Sequence, residues 1–100
     1  MPQDKQEIID DIKKHILRNK REYTLWYVGV SNNARDCLFK KHKVREKGDR
    51  WIYKTTASPQ VAREVEKHFL IVLGTDGVIG SGEETAKMVY AYRKAMHTDP

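Results

Sequence analysis

Three short runs of β-branched and aromatic residues alternate with segments of helical periodicity, and this alternation limits the possible folds more than any other feature of the chain. The runs cover residues 23–30, 51–57 and 88–93, and their residue types favour β-strands. A helix-like segment precedes each run. The order helix, strand, helix, strand, helix, strand therefore predicts a small α+β sandwich of three helices and a three-stranded sheet.

The first helix is marked by a capping box and by an apolar stripe. Asp4 can accept a backbone N–H while Glu7 reaches back to the start of the helix. We predict an amphipathic helix over residues 2–20 that packs on the sheet. Dimerisation through the stripe is the alternative. The stripe consists of Ile8, Ile9, Ile12, Ile16 and Leu17.

The second and third helices also carry start and stop signals. Ser31 or Asn33 can cap a helix over residues 34–44. Ser58-Pro59 begins a third helix with a serine cap and a proline in the first turn, where a missing N–H costs little. Gly74 is a plausible end for this helix.

The glycine-rich loop over residues 74–82 resembles a phosphate cradle only superficially. It follows a helix, precedes a strand and lacks a Gly-Lys-Ser/Thr ending, so it does not have the context of a P-loop. We expect a flexible connector, and a mobile flap over a site if the loop is functional. The tail from His97 is expected to fray.

The composition fits one small domain over residues 1–100. Hydrophobic residues make up 39% and charged residues 33% of the chain, which is too apolar for a disordered protein. Cys37 is the single cysteine, so an internal disulfide is excluded. The sequence has no hydrophobic signal region and no run long enough to span a membrane, and we expect a cytoplasmic protein without a membrane partner.

The positive charge is concentrated in one part of the chain. The segment over residues 35–54 holds eight bases and three acids, an excess equal to the whole net charge of +5. Such a segment can attract phosphate backbones, and the alternative is a solvated helix face that only aids solubility. The candidate nucleic-acid-binding residues are Lys40, Lys41, Lys43, Arg45, Lys47 and Arg50.

Several short motifs over residues 26–73 resemble the second half of the GIY-YIG endonuclease domain. Tyr27-Val28-Gly29 ends an apolar strand, and a basic helix with His42 follows. After an aromatic strand, the next helix carries Ala62 and Glu66 in an Ala-x-x-x-Glu pattern. The resemblance implies a GIY-YIG-like core over residues 23–93.

The resemblance also implies roles for individual residues. Tyr27 would help to activate water, and Glu66 would hold a divalent cation such as Mg²⁺. An arginine of the family neutralises phosphate charge, and Arg35 is the candidate for that role. His42 corresponds to the family's histidine. The implied catalytic set is therefore Tyr27, Arg35, His42 and Glu66, with Glu66 as the metal ligand.

The chain departs from the family pattern at three places. The position expected to hold the arginine is Cys37, two residues after Arg35, and His42 lies one residue late. No Gly-Ile-Tyr strand precedes Tyr27, although the run over residues 88–93 could take its place beside the first strand. Loss of a charge-neutralising arginine can cost several orders of magnitude in rate. We therefore expect a frame with weak or no nuclease activity.

Three functional hypotheses follow from the sequence. The first is a small domain that binds DNA or RNA on a GIY-YIG-like frame. The second is a catalytically inert interaction module, either a homodimer or a partner in a larger assembly. The third is a small-molecule enzyme in which His42 and Glu66 form an acid–base pair, which requires both side chains in one cleft.

Overall fold

The computed structural model describes residues 4–18, 23–78 and 84–99 and confirms the α+β prediction. The described residues form three α-helices and a three-stranded antiparallel sheet in the expected alternating order. None of the helices in these residues is both long and apolar enough to cross a membrane. The elements are α1 (Lys5–Leu17), β1 (Trp26–Ser31), α2 (Ala34–Asp36), β2 (Trp51–Thr55), α3 (Pro59–Lys67) and β3 (Met88–Arg93).

Several element boundaries differ from the sequence predictions. A 3₁₀ turn, Tyr23–Leu25, replaces the start of the first predicted strand, and β2 ends at Thr55 instead of residue 57. The second and third helices each change into a wider π-helix, Cys37–Lys41 and His68–Leu73. Hydrogen bonds that reach five residues back create these π-helices, and periodicity alone does not reveal them. Residues 2–3, 19–20 and 79–82 of the predicted elements lie outside the described residues.

The predicted caps of the helices are present. Asp4 accepts a hydrogen bond from the backbone N–H of Glu7, and Ser58 accepts one from Val61. Asn33 rather than Ser31 caps α2 through the backbone N–H of Asp36. Each side chain pairs a helical N–H that has no partner within the helix.

The strand order is β1-β3-β2, so β3 is the central strand. This order confirms the expectation that the run over residues 88–93 lies beside the first strand. Tyr27 pairs with Tyr92, and Gly29 pairs with Tyr90. On the outer side of β1, Asp76 exchanges backbone hydrogen bonds of 2.8 and 3.0 Å with Trp26 and Val28. β2 forms the opposite edge of the sheet.

α1 and α3 cover one face of the sheet and form the main core. Ile8, Ile9, Ile12 and Ile16 of α1 are at most 3% exposed, and burying each isoleucine side chain contributes about 1.5–3 kcal/mol. The predicted packing of α1 on the sheet is therefore confirmed. These four residues of the apolar stripe are buried within the protomer, whereas Leu17 is half-buried. The core also includes Trp26, Val28, Val30, Ala62, Val65, Phe69, Val89 and Ala91.

The expectation that the tail frays from His97 is wrong for residues 97–99. The backbone N–H of Lys94 donates to the carbonyl of Leu25 at 2.8 Å. The N–H of Asp99 donates to the carbonyl of His42 at 2.7 Å. Thr98 closes a turn with Ala95. Hydrogen bonds to two distant segments fix the tail, and such contacts leave no local sequence signal.

We predict that Gly29→Ala destabilises the fold through a single contact. A Cβ at this position would lie 2.5 Å from Oη and 2.6 Å from Cζ of Tyr90, a buried ring with little room to move. The expected cost is roughly 1–3 kcal/mol, measured by urea denaturation. In a Tyr90→Leu background the obstacle is gone, so the cost of Gly29→Ala should fall by at least half. Equal costs in both backgrounds would contradict the prediction.

Candidate functional site

Three tyrosines and one histidine form a buried cluster on the face of the sheet opposite α1. We call Tyr27, His42, Tyr90 and Tyr92 the tyrosine cluster. The ring centroids of Tyr27 and His42 are 4.8 Å apart, and those of Tyr27 and Tyr92 are 5.3 Å apart. Each of the four residues is at most 7% exposed. Two of the predicted catalytic residues, Tyr27 and His42, thus lie in direct contact.

Strand pairing explains why the three tyrosines meet. Residues two apart on a strand share a face, and so do directly paired residues on neighbouring strands. Tyr90 and Tyr92 therefore lie on the same face as Tyr27 and Gly29, their partners on β1. Gly29 has no side chain, which lets the Tyr90 ring lie across β1. The alternation of residues 88–93 signals this shared face, but only the β1–β3 pairing identifies which residues it joins.

The hydrogen bonds around His42 fix its tautomer. Nδ1 lies 2.7 Å from the carbonyl oxygen of Asp99, which can only accept, so Nδ1 carries the proton and donates. Nε2 then accepts from the hydroxyl of Tyr90 at 2.9 Å. The Tyr92 hydroxyl lies 3.2 Å from Nδ1. Burial lowers the pKa of His42 and favours this neutral form.

The phenols of the cluster are held in their protonated form. Burial is the largest cause that raises the pKa of Tyr27, Tyr90 and Tyr92. Carboxylate charge raises the pKa of Tyr27 further, through Asp76 and Glu66. A phenol with a raised pKa is a hydrogen-bond donor and a poor general base near neutral pH.

Glu66 lies near the cluster but is sealed within the protein. Its side chain is 0% exposed, and its Oε1 lies 3.6 Å from Nη1 of Arg63. Burial is the largest cause of the raised pKa values of Tyr27 and Tyr90, and the negative charge of Glu66 is a smaller cause. The third catalytic candidate is therefore an electrostatic neighbour of the first two.

The surroundings of Glu66 do not fit a hydrated Mg²⁺ ion. Mg²⁺ keeps several water ligands in most protein sites, whereas the Glu66 carboxylate is fully buried beside an arginine. Among residues 4–18, 23–78 and 84–99, no group of three histidine, cysteine or acidic residues could hold a metal. Magnesium binding stays a prediction of the family resemblance, and no step below depends on it.

Cys37 occupies the place in the sequence where the resemblance expects an arginine. Its Sγ lies 3.2 Å from Oγ of Ser31, and its side chain is half-buried. Burial is the largest cause of the raised pKa values of Tyr27 and Tyr90, and the electrostatic effect of Cys37 raises them further. A small, weakly polar group therefore faces the phenols where the family would place a cation.

Arg35 lies at a different position on the same face of the sheet. Its Nη2 donates to Oε1 of Glu46 at 3.1 Å. Its guanidinium lies 5.1 Å from the ring centroid of Phe39 and 5.9 Å from that of Trp51, and it also hydrogen-bonds to Tyr53. These contacts of Arg35 are all with groups outside the tyrosine cluster.

Phe39, Trp51 and Tyr53 form an aromatic surface along β2, which we call the aromatic edge. The rings of Trp51 and Tyr53 are nearly parallel, with centroids 6.1 Å apart and an angle of 6° between them. Phe39 packs edge-on against Trp51 at 5.0 Å. All three side chains are half-buried. The aromatic edge therefore combines ring surface with the cation of Arg35.

The structure divides the basic segment between two faces of the sheet. Five of its eight cations are exposed in residues 40–47, a stretch that begins after Phe39 and ends before Trp51. Arg50 and Lys54 instead share the α1 face with Ile52, because side chains alternate along the strand. Burial is the main cause that lowers the pKa of His15 on α1, and the positive charge of Arg50 lowers it further. In the sequence, this division is indicated by the alternation of side chains between the two faces of the strand that begins at Trp51.

Comparisons of the chain with protein-family models, curated proteins and solved structures gave no match. The likeness to the GIY-YIG domain therefore stays a prediction from the short sequence motifs.

We predict that the stability of the protein falls as the pH drops below the ordinary histidine pKa of about 6.5. Burial lowers the pKa of His42 and of His15 in the folded state. Between the folded and unfolded pKa values the unfolded chain binds more protons, so acid favours unfolding. Urea denaturation between about pH 7 and pH 5 should give a falling free energy of unfolding.

The His42→Gln variant should give a shallower dependence of stability on pH than the wild type. His68→Gln is the control, because His68 lies outside the tyrosine cluster and its ring packs against Phe69 of the same helix. A wild-type slope in His42→Gln would contradict the assignment of His42 as a buried neutral base.

Proposed function

We propose that this protein is a small nucleic-acid-binding domain with a GIY-YIG-like frame and with weak or no nuclease activity. DNA or RNA would bind at the exposed cations of residues 40–47 and at the aromatic edge. The cations would contact backbone phosphates, and the rings would contact bases or sugars.

The observation that carries the proposal is the junction of positive charge and aromatic surface. The segment that joins Phe39 to Trp51 and Tyr53 carries five exposed cations, Lys40, Lys41, Lys43, Arg45 and Lys47. Lys40 forms an ion pair with Asp36 at 3.6 Å, but this pair is largely exposed and weak. Exposed cations next to aromatic rings are typical of surfaces that bind single-stranded nucleic acid.

The strand arrangement supports the GIY-YIG-like part of the proposal. β3 pairs with β1 and places Tyr90 and Tyr92 beside Tyr27. Two strands thus bring tyrosines together, as the resemblance requires, although the second strand comes from the end of the chain. His42 and the charge of Glu66 lie at the same place.

The chemistry of the cluster supports weak or absent cleavage. The phenols have raised pKa values, and His42 is buried and bonded to the tail. Cys37 supplies no charge to neutralise a phosphoryl transition state, and Arg35 is bonded elsewhere on the surface. The proposal therefore assigns the cluster a structural role beneath the binding surface.

We predict that Lys41→Ala/Lys47→Ala weakens binding to a fluorescent 12-nucleotide single-stranded DNA. Each phosphate contact contributes about 0.7 to the slope of log K against log salt for single strands. The double variant should therefore lower the magnitude of the slope by about 1.4 in fluorescence-anisotropy titrations. The physical reason is the loss of counterion release at two phosphates.

Lys67→Ala/Lys87→Ala is the matched control, since it removes the same charge from exposed positions outside the basic segment. The control should keep the wild-type slope. Equal losses in both variants would indicate only a general charge effect and would contradict the proposed surface. Wild-type protein with Mg²⁺ or Mn²⁺ should leave the labelled DNA uncut, and rapid cleavage would refute the assignment of weak or no nuclease activity.

A specific apolar surface favours the interaction module as a second candidate. Ile71 and Val72 are 66% and 67% exposed, and they line a groove with Ile9 and His68. The area is small, and patches of this kind often mark protein contacts.

If the second candidate is correct, the wild type should self-associate at high protein concentration, and Ile71→Lys/Val72→Lys should be monomeric. Sedimentation velocity measures the difference. A monomeric wild type up to millimolar concentration would count against self-association through this surface.

A further inference from the structure

The outer side of β2 carries backbone groups that the sheet does not use. The N–H of Thr56 donates to the carbonyl of Lys87 just beyond the strand ends, so the backbone groups of Thr56 are turned toward the β3 side. Every second residue of an antiparallel strand is turned to its partner in this way. The backbone groups of Trp51, Tyr53 and Thr55 therefore point away from β3, and we call them the open edge. Within residues 4–18, 23–78 and 84–99, no backbone hydrogen bond reaches Tyr53 or Thr55 from outside.

The opposite edge of the sheet is covered by another part of the chain. The N–H of Asp76 donates to the carbonyl of Trp26 at 2.8 Å, and its carbonyl accepts from Val28 at 3.0 Å. These bonds use the outward groups of β1. A row of unpaired N–H and C=O groups on an edge strand is a template for a further strand. The described structure thus offers one such template, on β2.

His15 lies at the Trp51 end of the open edge. Burial is the main cause that lowers the pKa of His15, whereas a hydrogen bond with the backbone of Trp51 raises it. Only an acceptor stabilises the protonated imidazole, so the group involved is the carbonyl of Trp51. A carbonyl oxygen has two lone pairs and can accept a second hydrogen bond. The His15 contact therefore leaves the whole open edge able to pair.

The backbone of the open edge is complementary to itself. When two copies pair antiparallel about Tyr53, each Tyr53 faces the other and each Trp51 faces Thr55. All of these are positions at which two facing residues exchange both of their N–H···O bonds. This register therefore uses every outward N–H and C=O group of the open edge in both copies.

Charge selects the same register among the possible self-pairings of β2. Pairing about Lys54 would place two lysines directly opposite each other, and pairing about Ile52 would place Arg50 opposite Lys54. Like charges that face each other across strands are destabilising. Pairing about Tyr53 instead places Ile52 opposite Lys54, whose charge already contacts Asp11 at 3.0 Å. The two Tyr53 rings face each other, a favourable type of cross-strand pair.

We propose that the protein forms a two-fold symmetric dimer in which the β2 strands of two copies pair antiparallel about Tyr53. The two three-stranded sheets join into one sheet of six strands. Since β1 is covered and β2 alone is open in the described structure, the assembly closes as a dimer and does not grow into a fibre.

The symmetry of the dimer decides how its surfaces are arranged. The two-fold axis of an antiparallel strand pair is perpendicular to the sheet, so both copies present the same face on the same side. The two aromatic edges would then lie side by side, and the two α1 helices would lie on the other face. The dimer goes beyond the function proposed above and does not depend on it.

The first experiment tests the register by exchange of charge at Tyr53. Sedimentation velocity of the wild type between micromolar and millimolar concentration should show a reversible monomer–dimer equilibrium. Tyr53→Lys and Tyr53→Glu each place like charges opposite each other, so each should weaken the dimer roughly tenfold. An equal mixture of the two variants should associate more strongly than either variant alone, because opposite charges then face each other. Amide NMR spectra check that both variants are folded.

Thr55→Pro is a second variant that leaves the aromatic edge intact. Proline removes the outward N–H of Thr55, and proline is tolerated on an edge strand where the N–H faces solvent. The monomer should therefore keep its fold while the dimer is weakened. Ile71→Lys/Val72→Lys is the control, because it changes the other exposed apolar surface and should leave this dimer unchanged.

Three results would overturn the dimer. They are a wild type that stays monomeric up to millimolar concentration, a mixture of the Tyr53 variants that associates no better than its components, and loss of the dimer in Ile71→Lys/Val72→Lys. Absence of DNA binding by an intact dimer would refute only the function proposed above.

Discussion

The antiparallel pairing of β1 with β3 is the constraint on which the rest of the structure depends. It joins residues separated by most of the chain and places Gly29 opposite Tyr90. Since Gly29 has no side chain, the Tyr90 ring can lie across β1 and hydrogen-bond to His42. His42 in turn holds the tail through Asp99. A change at this pairing would therefore disturb the sheet, the tyrosine cluster and the tail together.

Burial gives the tyrosine cluster a different character from an active site that transfers protons. A base near neutral pH needs a pKa close to the working pH, whereas burial favours protonated phenols and a neutral imidazole here. These forms complement one another as donors and acceptors, and their hydrogen bonds stabilise the face below the basic segment. In the proposed function, the groups that the family resemblance links to catalysis support the binding surface.

The distribution of charge shows why one basic segment can form two surfaces. Residues 40–47 lead into the aromatic edge, whereas Arg50 and Lys54 follow the alternation of β2 to the α1 side. On that side, Lys54 lines a groove together with Lys14 and Arg18, which lie near the N-terminal end of the chain.

The elements and much of their order can be predicted from the amino-acid sequence, because helix caps, apolar periodicity and strand-forming residues act over short distances. Asp4, Ser58 and the isoleucine stripe were sufficient to predict two helices. The family resemblance placed Tyr27 and His42 in one predicted site. Only the tertiary structure decided that Arg35 lies apart from them, that Glu66 is sealed, and that Tyr90, Tyr92 and Asp99 complete the cluster. These outcomes depend on strand register, π-helical turns and contacts between distant segments, and such long-range packing leaves no periodic signal in the chain.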